Sequence, residues 1–220
     1  MPIIPGLIVY LILVISLSVH EWAHGYVANK LGDPTPAAFG RLTLNPLAHI
    51  DPIGTVAIPL LMILLMPGFA IFGWAKAVPI NPKHFRRRKY GELMVSLAGP
   101  FSNLILAIFL AIIGACLAKN FGGSVGSLFA TATWLNIILF IFNLIPVPPL
   151  DGARSLKVLL EISEETFFYL ERWGFFILLI LINISAFRSV LFVCMARTFG
   201  LISSMACQLF GIPQDALLPF

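Results

Sequence analysis

The segment His20-Glu21-Trp22-Ala23-His24 places two histidines four residues apart around a glutamate. On a helix, side chains at positions i and i+4 lie on one face, so both imidazoles can bind the same metal ion. Glu21 is displaced by about 100° around the helix from His20, which puts its carboxylate beside that face. There it can accept a proton from a water molecule held by the metal. This spacing predicts a hydrolytic metal site.

The surroundings of this segment favour a metal site over coincidence. So short a pattern arises by chance in many soluble proteins, but the stretch from Met1 to Val19 that precedes it contains no charged residue. An ionisable side chain at membrane depth costs several kcal/mol unless it faces a partner or a cavity. Three such groups within five residues would be very unfavourable without a metal or water to face.

A third ligand has to come from elsewhere, because a catalytic zinc ion usually takes three protein ligands and one water molecule. The segment from Asn143 to Gly152 is the best source, since its three prolines stop a helix and Gly152 permits a tight turn beside Asp151. Asp151 would supply a negative charge to the metal. The alternative, without the two histidines, is an ordinary surface turn of Pro, Asp and Gly.

The composition indicates that these residues lie in a membrane. Of the 220 residues, 59% are hydrophobic and only 11% are charged, whereas about a quarter of the residues in soluble domains are charged. Several charge-free stretches reach the roughly twenty residues that a helix needs to cross a bilayer. We therefore expect an all-α polytopic membrane protein with five to six membrane helices around the site. The first apolar stretch is interpreted as a retained helix, since a cleaved signal peptide would remove the metal ligands.

The expected organisation is one domain over residues 1–220, with a core at about 3–160, C-terminal helices at about 165–210, and no soluble appendage. The chain carries a net charge of +4, with its basic residues concentrated between Lys76 and Lys89. Such a loop beside membrane spans is a topology signal, which argues against nucleic-acid binding. The predicted apolar segments are 3–30, 54–73, 92–118, 126–145, 167–186 and 189–210, with a short extended or β segment within 40–46.

Three motifs together resemble the site-2 proteases, the family of intramembrane zinc metalloproteases. They are His20-Glu21-x-x-His24, Ala98-Gly99-Pro100-x-x-Asn103, and Asn143-x-x-Pro146-x-Pro148-Pro149-Leu150-Asp151-Gly152. The absence of an evident PDZ or CBS module makes the chain similar to compact members of that family. The resemblance implies cleavage of peptide bonds within or near transmembrane segments of membrane proteins in the lipid bilayer.

By the same resemblance, His20, His24 and Asp151 bind Zn²⁺, and Glu21 is the general base. Asn143 corresponds to an asparagine that contacts substrate or stabilises the oxyanion, while a helix C-cap before the prolines is an equal alternative. Asn103 orients its helix or lines the cavity, and helix packing around Gly99 is the favoured account.

The depths of the two halves of the site predict a topology. With the first helix starting near Pro5, His20 lies about 22 Å along it. Asp151 follows the start of the fourth segment by roughly two dozen residues, a comparable or greater depth, so both segments should enter from the same side. The basic loop then puts the zinc nearer the cytoplasmic face, in a membrane that we expect to be prokaryotic. The second segment should dip in and return, turning at Pro59 and at Pro67-Gly68.

Two other classes of function remain open at this point. A zinc-binding transporter would use the same ligands, but transporters typically show paired repeats and several midplane charges, which the sequence lacks. A non-catalytic membrane scaffold would not need the base Glu21.

Overall fold

The computed structural model describes residues 3–65 and 73–219. Eight α-helices follow one another: α1 Ile3–Lys30, α2 Thr35–Ala38, α3 Ile58–Leu65, α4 Arg88–Phe121, α5 Gly123–Asn143, α6 Asp151–Leu159, α7 Glu164–Asn183 and α8 Ser185–Phe210. Short helical turns lie at Pro46–Ala48, Pro52–Ala57, Pro82–His84 and Gln214–Leu217. The described residues contain no β-strand, and residues 73–81 run without helix.

Four of the described helices, α1, α4, α5 and α8, are long and apolar enough to cross a membrane. The prediction of an all-α polytopic membrane protein is confirmed, with a count one or two below the five to six helices expected. Helix α7 has twenty residues but carries Glu164, Glu165, Glu171 and Arg172 in its first half. The described part of α3 has eight residues, about 12 Å at 1.5 Å per residue.

The predicted turn of the second segment at Pro67-Gly68 lies outside the described residues. Pro59, the other predicted turning point, lies within α3. The re-entrant path of the second segment stays a prediction.

The chain divides into two compact units, residues 1–99 and 100–220, with the boundary inside α4. The single functional domain over 1–220 stays a prediction.

In the first unit, α1 ends where Gly32 adopts a positive φ of 109° and the Asp33 N–H donates to the Ala28 carbonyl at 3.0 Å. This is a glycine-terminated helix end. Ala28 then packs with Phe85 and Val95 in a small hydrophobic cluster. The end of α1 is thereby attached to the first turns of α4.

The second unit is packed mainly through small side chains. Ala111, Ala115, Ala130, Ala206 and Cys207 form a buried cluster with Leu217. Small residues let membrane helices approach closely, which replaces the hydrophobic driving force that lipid does not supply.

One buried polar pair adds specificity to that packing. The Asn103 side chain of α4 donates from Nδ2 to Asn136 Oδ1 of α5 at 2.9 Å, and both residues are fully buried. The helix-orienting role expected for Asn103 therefore has a partner in α5.

Candidate metal centre

His20 and His24 lie one helical turn apart on α1, and both are buried, at 5% and 7% exposure. Their Nε2 atoms are 3.1 Å apart. Two nitrogen ligands at 2.0–2.1 Å from a tetrahedral zinc ion lie roughly 3.3 Å from each other. The two imidazoles therefore converge as the ligands of one ion do.

The other ring nitrogen of His24 fixes its tautomer. His24 Nδ1–H donates to the backbone carbonyl of Val95 on α4 at 2.6 Å, which leaves Nε2 with its lone pair toward the shared position. Histidines that bind metals usually have such an outer partner, which orients the ring and raises its basicity. The Nε2 atom of His24 is thus suited to bind zinc.

Gly99 forms the wall opposite the imidazoles within the same unit. A Cβ atom built on Gly99 would lie 2.3 Å from His24 Nε2 and 2.6 Å from His20 Nε2. A side chain at this position would occupy the space between the two imidazoles. Glycine is therefore required here by the close approach of α4 to the imidazole nitrogens.

The Glu21 carboxylate is held by the backbone. Glu21 Oε2 accepts a hydrogen bond from the Val78 N–H at 2.9 Å, and Glu21 is half-buried while Val78 is buried. A bond from a fixed backbone donor orients the carboxylate beside the imidazoles. It leaves the second oxygen, Oε1, for another partner.

Val78 belongs to the extended segment, residues 73–81, which is anchored on one edge. The Trp74 N–H donates to the Gly54 carbonyl at 3.1 Å and the Lys76 N–H to the His49 carbonyl at 2.9 Å. Every second backbone N–H of the segment, at Trp74, Lys76 and Val78, therefore donates a hydrogen bond to another part of the protein. Ala75 and Ala77 form no backbone hydrogen bond within the described residues, so no described backbone group pairs with the opposite edge of the segment.

The far end of the extended segment is attached to Asp33. The Asp33 carboxylate, which is fully buried, accepts hydrogen bonds from the Asn81 N–H at 2.7 Å, from Thr35 and from His84 Nδ1 at 3.1 Å. Burial acts to raise the pKa of this carboxyl, but the hydrogen bonds from Thr35, Asn81 and His84 outweigh it and lower the pKa below its ordinary value.

In the second unit, Asp151 is the first residue of α6, where a carboxylate is favoured by the helix dipole. The preceding turn contains a cis Pro148–Pro149 bond. Gly152 is required because a Cβ there would lie 2.3 Å from the Leu144 carbonyl oxygen. The proline-containing segment thus folds back on itself, with Asp151 at its exit.

Comparisons with known proteins give the family. The model of peptidase family M50 matches residues 118–181. A putative zinc metalloprotease of Bacillus subtilis, YwhC, is 40% identical over 177 residues, which cover 77% of either chain. The chain belongs to peptidase family M50, the family of the site-2 proteases. The resemblance drawn from the three motifs is confirmed.

Relatives of lower identity are also named as zinc metalloproteases. The putative zinc metalloprotease Rip2 of Mycolicibacterium smegmatis is 32% identical over 76% of this chain and 63% of its own length. The zinc metalloprotease MJ0392 of Methanocaldococcus jannaschii is 29% identical over 70% of this chain and 34% of its own length. No solved structure matches the chain.

Two site residues of this M50 chain were not predicted from the sequence. Gly99 was assigned to helix packing, whereas it lies against both imidazoles. Val78 acts through its backbone N–H, which no side-chain pattern reports. The shared motif around Gly99 was the available signal for that residue.

Asn143, the remaining predicted site residue, and two loop histidines lie as follows. Asn143 is the last residue of α5, and its Nδ2 donates to the Leu139 carbonyl at 2.9 Å. One of its two N–H groups is therefore used within its own helix, and its catalytic role stays a prediction. His49 is a loop residue whose Nε2 donates to the Thr43 carbonyl at 2.8 Å, and His84 serves Asp33.

Proposed function

We propose that this M50 chain is an intramembrane zinc endopeptidase that hydrolyses peptide bonds within or near transmembrane segments of other membrane proteins. The observation that carries the proposal is the 3.1 Å separation of the His20 and His24 Nε2 atoms beside Glu21, on a helix apolar enough to cross a membrane. A buried pair of imidazoles with an adjacent base has the donor set of a hydrolytic zinc site.

Asp151 completes the proposed ligand set. His20 and His24 of the first unit and Asp151 of the second are side chains of the kinds that bind zinc. A carboxylate offsets one of the two positive charges of the ion, which matters more inside a membrane than in water because charges there are poorly solvated. The relatives named as zinc metalloproteases support the choice of metal.

The chemistry divides between the ion and the chain. When bound, zinc polarises the scissile carbonyl and makes water easier to deprotonate. Glu21 then takes up a proton from water at its carboxylate and delivers it to the leaving nitrogen. The Val78 N–H keeps that carboxylate oriented, and Asn143 is proposed to contact the substrate or the developing oxyanion.

The substrate must be extended before attack, because the amides of a helix are already hydrogen-bonded to each other. The edge of the 73–81 segment at Ala75 and Ala77, which pairs with no described backbone group, offers groups to which an extended peptide can pair as an added strand. The anchored edge, through Trp74 and Lys76, would hold the segment in place while it pairs.

The proposed location is a prokaryotic cell membrane with the zinc site nearer the cytoplasmic face. The matched relatives come from bacteria and an archaeon. The basic residues Lys83, Arg86, Arg87 and Lys89 are exposed just before or at the start of α4, and such clusters mark cytoplasmic loops. A tag on the N-terminus that proved to be cytoplasmic would contradict this orientation.

The test compares wild-type protein with Glu21→Gln on a reconstituted transmembrane substrate. The variant should retain zinc and lose cleavage by several orders of magnitude, because only the base is removed. Glu165→Gln is the matched control, since Glu165 is exposed on α7. Equal turnover by wild-type and Glu21→Gln protein would reject the proposed mechanism, and a wild-type protein that binds no zinc would reject the site.

A further inference from the structure

Arg197 lies in the middle of α8, a 26-residue helix apolar enough to cross a membrane. It is the thirteenth residue of Ser185–Phe210, so it lies about 18–20 Å along the helix from either end at 1.5 Å per residue. The hydrocarbon layer is only about 30 Å thick. The guanidinium is therefore placed near mid-depth, where its side chain cannot easily reach either surface.

The side chain of Arg197 is exposed. It forms no hydrogen bond or ion pair within the described residues. Its neighbours on the same face are also exposed, with Val193 at 45%, Leu201 at 62% and Met205 at 63%. A Cβ added to Gly200, one turn further on, would meet nothing within 4 Å. The opposite face, at Ser203, Ala206 and Cys207, is buried in the second unit.

An unpaired guanidinium facing lipid at this depth is unfavourable by several kcal/mol, and such residues almost always pair with another group. The favoured partner is a carboxylate at the same depth. Arg188, the other cation of α8, is three residues after Ser185, so its side chain can reach the interface without a partner. The need for an anion is therefore specific to Arg197.

We propose that the face of α8 formed by Val193, Arg197, Gly200 and Leu201 binds a membrane-spanning helix of another protein that carries an acidic residue near its midpoint. A second copy of this chain does not supply that residue. The spanning helices α1, α4, α5 and α8 contain only two acids, Glu21 and Glu92. Glu21 accepts a hydrogen bond from Val78 and Glu92 pairs with Arg88 at 2.7 Å. Glu171, near the middle of α7, pairs with Arg154 at 3.7 Å. The small Gly200 lets a partner helix approach closely.

A lipid phosphate is the competing anion, but it lies in the headgroup layer, about 15 Å from the membrane centre. A carboxylate on a helix can be placed at any depth. The depth of Arg197 thus favours a protein partner over a lipid.

The experiment uses the full chain, labelled and reconstituted in neutral phosphatidylcholine vesicles at pH 7.5. The probes are synthetic apolar helices of about twenty residues with a central Glu, a central Leu, or a Glu near one end. Energy transfer between protein and probe measures binding. The wild type should bind the central-Glu helix roughly tenfold or more tightly than the other two, because pairing removes an intramembrane charge penalty of several kcal/mol.

Two variants separate the role of Arg197 from a general effect of charge. Arg197→Leu should reduce the preference to less than about twofold without lowering thermal stability, since a lipid-facing charge is replaced by an apolar group. Arg188→Leu, the matched control on the same helix, should leave the preference unchanged.

Four results would overturn the proposal. Three are equal binding of the central-Glu and central-Leu helices by the wild type, an unchanged preference in Arg197→Leu, and equal binding of the helix with a terminal Glu. The fourth is loss of the preference when the vesicles contain phosphatidylglycerol, because lipid phosphate would then satisfy the guanidinium.

Discussion

Replacing Gly99 by alanine should remove zinc binding while leaving the fold intact. The new methyl group would lie 2.3 Å from His24 Nε2, whereas ordinary contacts begin at 3.4 Å, so the ring or the helix would have to move by about 1 Å. Metal sites tolerate departures of only about 0.2 Å in ligand distance. His24 cannot swing away freely, because its Nδ1–H is bonded to the Val95 carbonyl at 2.6 Å.

The size of the effect follows from this mismatch. Disturbing the outer partners of a metal ligand typically lowers affinity 10- to 100-fold, and Gly99→Ala displaces the ligand itself, so we expect a loss of at least about 100-fold. That loss corresponds to about 2.8 kcal/mol. Helix propensity favours alanine over glycine by about 1 kcal/mol, so the substitution does not disfavour the helical conformation of α4 itself.

The assay is zinc content of the purified protein together with competition against a chelator of known affinity. Gly114→Ala, also on α4, is the matched control, because its added Cβ would lie 2.5 Å from Phe129 Cβ of α5 and its nearest neighbours include no imidazole atom. It should lower thermal stability and retain zinc. Zinc affinity of Gly99→Ala within twofold of the wild type would refute the reasoning.

Three further predictions concern the supports of the site. Replacing the Val78 N–H by an ester oxygen should lower kcat about 10- to 100-fold with zinc retained, because Glu21 loses its orienting donor. The same replacement at Lys76 should lower kcat less. Asp33→Asn should cost about 1–3 kcal/mol at pH 7 in thermal unfolding. Because the folded-state pKa of Asp33 is lowered, this advantage of the wild type should be present above about pH 4 and shrink as the pH falls further. Gly152→Ala should lower the Tm, because its added Cβ would clash with the Leu144 carbonyl. A stability difference between wild type and Asp33→Asn that does not change with pH would contradict the second prediction, and an unchanged Tm in Gly152→Ala would contradict the third.

The local part of the site could be predicted from the sequence, because it depends on one helix. The spacing of His20 and His24 fixes their shared face once α1 forms, and the apolar sequence around them makes α1 form. The helix ends were predicted within about four residues: the third segment, expected at 92–118, is α4 at Arg88–Phe121. Charged residues at helix ends obscured those boundaries, as in Arg88 and Lys89.

The tertiary part was less accessible. Helix α6 was not predicted, because Asp151 follows three prolines and its sequence suggested a turn, yet Asp151 begins a helix. Gly99 was assigned to helix packing because a glycine in a sequence indicates only that another group approaches the backbone closely. Only the fold shows that this group is the pair of imidazoles. The break between the last two helices, expected near Phe187, lies at Ile184; a single residue is too short to be marked by composition.

The position of Gly99 on α4 also sets how far reactants travel. Eleven residues separate Arg88, an exposed cation at the helix start, from Gly99 beside the imidazoles, a distance of about 16 Å. With Arg88 kept in the headgroup layer, which is roughly 6 Å thick, hydrolysis would take place about a third of the way into the hydrocarbon core, whose thickness is about 30 Å. Water and released peptide ends would therefore cross only about a third of that core. A bilayer built from shorter acyl chains would shorten their route without altering a single side chain.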